Sequence, residues 1–153
     1  MPPASGRLSI ALLPRDADAP IDVVEALWAN VQGLAHDEIV PGGFLRARLE
    51  THPDVRFYSN WLGGFAARCP GDGTTITDRF ARALERWRAG GDRAVECACG
   101  ARHDLSALSF APEAGFARGC VWLLDVADGA LVPAFAAQAD AVLGGVRVVL
   151  RRG

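Results

Sequence analysis

Apolar and polar residues alternate along this chain with a period that changes several times, and the changes mark out strands and helices. Leu8, Ile10 and Leu12 recur at every second position, which predicts a strand over residues 7–13, with Pro14 stopping it. The period then lengthens. Ile21, Val24, Trp28 and Val31 fall on one helical face, Pro20 suits the first turn, and Gly33 suits the end. Residues 44–50 and 55–69 read as two extended segments around a turn at His52-Pro53-Asp54, the second bent at Gly63-Gly64.

A second helix is predicted over residues 76–89. Ile76, Phe80, Leu84 and Trp87 form its apolar stripe, Thr75 is placed to cap it with Asp78 three positions on, and Gly90-Gly91 ends it. Three extended segments follow, near residues 93–97, 105–110 and 116–126; the last is apolar enough for a central buried strand. Asp128-Gly129 introduces a third helix with Pro133 in its first turn and Leu131, Phe135, Val142 and Leu143 inward. Gly144-Gly145 then leads to a final strand over residues 146–150. The expected fold is α+β: a mixed, mainly antiparallel β-sheet packed with about three helices. A chain of 153 residues without repeats or long linkers is expected to form a single domain, 1–153, with residues 1–6 flexible.

Composition narrows the function classes. Half of the residues are hydrophobic, enough for a packed core. Net charge is −2, so the overall field does not attract phosphate backbones or anionic lipid, and nucleic acid is not the expected partner. Every basic side chain apart from three histidines is Arg, and Lys is absent. A Walker phosphate loop, a pyridoxal Schiff base, a Ser-Lys dyad and a kinase-type nucleotide site each need a Lys amine and are excluded. The apolar run at residues 8–13 is too short for an export signal, and no segment has the length of a membrane span. The expected location is therefore cytoplasmic, where the four cysteines act as thiols or metal ligands rather than disulfides.

Zinc knuckles present two thiolates as Cys-x-x-Cys-Gly, the Gly taking the positive φ of the turn. Here the chain reads Cys69-Pro70-Gly71-Asp72-Gly73 and later Glu96-Cys97-Ala98-Cys99-Gly100. Aligned on the glycines, each is a knuckle with one Cys replaced by a carboxylate, at Asp72 and Glu96. Residues 66–104 thus read as a degenerate zinc-ribbon-like element with an inserted helix. Cys69, Cys97 and Cys99 are the candidate metal ligands, with His103 or Asp72 as a fourth, and the expected cofactor is a structural Zn2+. The alternative is a ribbon that keeps its turns without the metal.

This order of features resembles a functionally uncharacterised bacterial family with a Cys-Pro-x-Cys-Gly knuckle, a helix and a second Cys-Gly knuckle. In that family an Asp-Leu pair and a Pro-x-Gly-Phe-Ala-Arg segment follow. The matching residues here are Asp104-Leu105 and Pro112-Glu113-Ala114-Gly115-Phe116-Ala117-Arg118. The resemblance spans roughly the C-terminal two-thirds and implies no particular activity.

Other groupings carry weaker chemistry. The alternative reading gives Cys97, Cys99 and His103 to a small thiol- or metal-dependent enzyme, since nearby Arg93 and Arg102 favour a thiolate. Cys120, inside an apolar run, reads as a buried small hydrophobe. Arg79, Arg82 and Arg86 share one face of the second helix and are candidates for contact with an anion, a nucleic acid or an acidic partner, although a solvated face is the simpler expectation. His36, Asp37, Glu38, His52 and Asp54 would form a metal site only if the fold gathered them. Phe57, Tyr58, Trp61 and Phe65 concentrate aromatics suited to a core or a groove. Taken together, the residues favour a binding or accessory protein over an enzyme. Its expected partner is another protein, with self-association open.

Overall fold

In the computed structural model, residues 8–60 and 65–152 are described. The elements run β1 (Leu8–Pro14), α1 (Ile21–Gln32), β2 (Phe44–Tyr58), β3 (Ala66–Arg68), α2 (Thr77–Arg88), β4 (Ala94–Glu96), β5 (Arg102–Asp104), β6 (Ser109–Ala111), β7 (Gly115–Val126), α3 (Pro133–Leu143) and β8 (Val146–Arg152). The class is α+β, with an antiparallel four-stranded sheet, two small two-stranded sheets and three helices. The chain divides into two compact units, Met1–Gly63 with Glu113–Gly153, and Gly64–Pro112.

The first unit is the four-stranded sheet, ordered β2-β7-β1-β8, with α1 and α3 on one face. Because side chains alternate across a strand, Ile10 and Leu12 of β1 and Val121 and Leu123 of β7 point to that face. They pack with Val24, Leu27 and Val31 of α1 and Phe135, Ala139 and Leu143 of α3. The largely apolar segment 116–126 lies in the central strand β7, hydrogen-bonded on both sides. Gly33 and Gly144 stand at the helix ends, Gly144 at φ +68°.

Several boundaries differ from the sequence expectation. His52-Pro53-Asp54 does not end a strand. β2 runs through it, and its register against β7 slips between Thr51, opposite Gly119, and Arg56, opposite Ala117. As an edge strand, β2 tolerates Pro53 in such a bulge. A side chain at Gly119 would bring its Cβ to 2.5 Å from the Glu50 carbonyl oxygen, so the crossing at the bulge requires glycine. Thr75 does not cap α2: it bridges to Arg68, Ile76 occupies the cap position, and the Thr77 hydroxyl accepts from the Ala67 N–H instead. The segment expected to be extended at 105–110 is a 3-10 turn, Leu105–Ala107, followed by β6, and the short strand β5 before it was not expected. Residues 1–6, Trp61 and Gly63-Gly64 lie outside the described residues.

The other face of the sheet buries Tyr58, Ala117, Cys120 and Trp122 around one carboxylate. Glu50 accepts from the Tyr58 hydroxyl at 2.7 Å and from Trp122 Nε1 at 3.2 Å, and lies 3.0 Å from His52 Nε2. Burial alone would raise the Glu50 pKa, but the hydrogen bonds from Tyr58, His52 and Trp122 outweigh it and hold the carboxyl below its ordinary value. Burial, with the Cys120 and Glu50 charges, pushes Tyr58 well above the phenol range and keeps it a donor. Burial likewise keeps Cys120 a thiol. Arg151 stacks over the Trp122 ring at 4.3 Å from the ring centre.

Candidate metal centre

The second unit is built around α2 and two hairpins. β3 pairs with β6, β4 pairs with β5, and Phe65, Phe80 and Phe110 meet edge to face with ring centres 5.0–5.9 Å apart. That aromatic trio with Ile76, Leu84, Val95, Leu105 and Leu108 makes a small core. Units of this size rarely hold together on apolar burial alone and commonly carry a metal or disulfides.

Two tight turns close on one point of this unit. After β3, the Cys69 N–H donates to the Thr74 carbonyl and the Gly73 N–H returns to the Cys69 carbonyl, with Gly73 at φ +75°. Between β4 and β5, the Cys97 N–H donates to the Ala101 carbonyl and the Gly100 N–H to the Cys97 carbonyl, with Gly100 at φ +87°. Positive φ is why both turns carry glycine. The second turn is anchored on Cys97 rather than Glu96, one residue shorter than alignment on the glycines implies. Cys97 thus opens the turn.

Strand alternation brings His103 to the same point. Val95 and His103 are register partners on one face of the β4–β5 hairpin, and Cys97 follows two positions after Val95, just past the end of β4. The Cys69 Sγ lies 3.6 Å from Cys99 Sγ and 3.8 Å from His103 Nε2. The ligand atoms of Cys69, Cys97, Cys99 and His103 all lie within 4.8 Å of one another, and this is the one such group of three or more among the described residues. Around a tetrahedral zinc with Zn–S of about 2.3 Å, ligand atoms sit about 3.6–3.8 Å apart. The arrangement fits that ion. Cys69 and Cys97 are buried, His103 half-buried and Cys99 exposed.

No match emerges from comparison with protein-family models, curated proteins or solved structures.

Two thiols of the cluster are shifted in opposite directions. The Cys69 thiol is held below its ordinary pKa, chiefly by a hydrogen bond from Cys97, with the Gly71 N–H, 3.4 Å from its sulfur, adding to the effect. Burial, reinforced by its bond to Cys69, pushes Cys97 up to about 12. Of these two thiols, Cys69 is the more acidic. A Cβ built at Gly71 would contact Cys69 Sγ, Cys99 Sγ and His103 Nε2 at 3.6–4.0 Å, so the first turn folds its backbone down onto the cluster.

The other candidates are placed elsewhere. Asp72 lies outside the four-residue group and accepts the Thr74 N–H at 2.9 Å, which with the Thr74 hydroxyl lowers its pKa. Glu96 is exposed and offers only its backbone carbonyl, to Arg79. His36 stacks on Phe44 and bonds its carbonyl, while His52 contacts Glu50, so the polar residues of 36–54 form no metal cluster. Phe57 and Tyr58 pack on Phe116 and Trp122 in the first unit, and Phe65 belongs to the core of the second. Arg79, Arg82 and Arg86 line a cleft with Arg102. No helix among the described residues is long and apolar enough to cross a membrane.

Proposed function

We propose that Cys69, Cys97, Cys99 and His103 bind one structural zinc ion, and that the chain is a binding or accessory protein whose partner is another protein. The observation that carries this reading is the convergence of four protein ligand atoms from two turns and a strand. Catalytic zinc keeps a position open for water or substrate, whereas four protein ligands close the tetrahedron. That closure favours a structural ion over the thiol- or metal-dependent enzyme that Cys97, Cys99 and His103 also suggested. The resemblance to bacterial proteins with paired Cys-Gly knuckles agrees with a metal-held scaffold, and a cytoplasmic location is part of the same proposal.

Elemental analysis of full-length protein purified without chelator is expected to give about one zinc per chain. Cys99→Ser, which alters the exposed ligand, is expected to lower that content several-fold without abolishing expression. Protein free of metal after purification in zinc-supplemented medium would overturn the assignment.

A further inference from the structure

A cleft of about 520 Å³ lies between α2 and the β4–β5 hairpin. Arg79, Arg82 and Arg86, one turn apart in succession along α2, form one wall, and Arg102 of β5 and the carboxylates of Asp92 and Glu96 complete it. Arg79 already gives one N–H to the Glu96 carbonyl at 3.1 Å, which ties α2 to β4, and Arg102 pairs with Asp92 at 2.8 Å. That pair is solvent-exposed, so an anion can exchange for the carboxylate at little cost. Arg82 and Arg86 have no ion pair or side-chain hydrogen bond among the described residues.

We infer that this cleft binds a small phosphate-bearing molecule. Each guanidinium is a planar fork that matches two phosphate oxygens, and four of them in one concave site exceed the two carboxylates present. The volume falls within the range of small-molecule sites. Size and charge also set an upper limit on the ligand. Asp92 and Glu96 oppose a polyanion running through the cleft, and the chain's net charge of −2 gives an extended backbone no further attraction. The same two carboxylates can accept from hydroxyl groups on the organic part of a phosphate ester. This inference stands on the cleft and does not require the metal assignment.

Calorimetric titration of the full chain with pyrophosphate at low ionic strength tests it, beside a single-stranded DNA of about ten nucleotides as the competing ligand. Pyrophosphate is expected to saturate one site per chain. Arg82→Ala and Arg86→Ala, on an exposed helix face where Ala preserves the helix, should each weaken binding about tenfold, while Arg88→Ala, outside the cleft, should leave it unchanged. Absence of saturable binding would overturn the proposal, as would affinity in Arg82→Ala and Arg86→Ala undiminished from that of the natural chain. DNA binding more tightly than pyrophosphate, with a salt dependence of several phosphates, would also overturn it by assigning the cleft to a polymer.

Discussion

Replacing Cys69 or Cys97 with serine is expected to release the zinc and abolish stable structure in Gly64–Pro112. These are the two buried ligands, and a serine hydroxyl is a far poorer zinc donor than a thiolate. Structural zinc in small domains contributes roughly 10–16 kcal/mol of apparent binding free energy, and where no preformed site exists in the unfolded chain that energy is folding energy. The core of this unit is Phe80, Phe110 and a handful of aliphatic residues, too few to compensate. Native-state hydrogen exchange reads the result directly. Amides of α2, β4 and β5 should lose their protection in Cys69→Ser and, equally, in the natural chain treated with a strong chelator. Those of β1 and β7, held in the four-stranded sheet over an aliphatic core, should keep theirs. Undiminished protection of α2 after complete metal removal would mean that the unit stands on its apolar core alone.

Glu50→Gln is expected to destabilise the first unit by about 2 kcal/mol at neutral pH, with a change in pH dependence that identifies the cause. The carboxylate serves Tyr58, Trp122 and His52 together, and an amide cannot accept from all three because its NH2 group is a donor. Water reaches the partly exposed carboxylate, which holds the cost below that of a fully buried group. Since the folded-state pKa of Glu50 is depressed, its contribution is present above the unfolded value of about 4.3 and is lost as pH falls through the lower folded value. Denaturant titrations from pH 7 to pH 3 should therefore show the natural chain losing stability more steeply below about pH 4.3 than the variant, so that the two curves converge in acid. Parallel curves would assign Glu50 a packing role rather than an ionic one.

The sheet and helices were legible because their apolar periods are long. The described elements include short ones that carry no such signal, and there the reading failed: β5 is Arg102–Asp104, three polar residues whose place is set by pairing with β4. Pro53 and Asp54 read as a turn, but a long ladder on either side carries β2 through them as a bulge, a tertiary effect that local composition does not encode. At the metal centre, the three cysteines were legible from the glycines that follow them. The place of His103 in the cluster was not, because it depends on which face of β5 meets Cys97, and that follows from the Val95–His103 register. Alignment on the glycines made Glu96 a lost ligand, whereas the turn starts at Cys97. The arginines of α2 read as an ordinary solvated stripe, since Arg102, distant in sequence, is what turns their face into one side of a cleft.

The central claim, that one zinc ion is held by three sulfurs and one imidazole nitrogen, is tested most directly by X-ray absorption at the zinc edge of full-length protein purified without chelator. The expected first shell is three sulfurs at about 2.3 Å and one nitrogen at about 2.0 Å, with His103→Ala exchanging the nitrogen for a water oxygen while the sulfurs remain. A shell of nitrogen and oxygen alone, or a spectrum unchanged by His103→Ala, would contradict it.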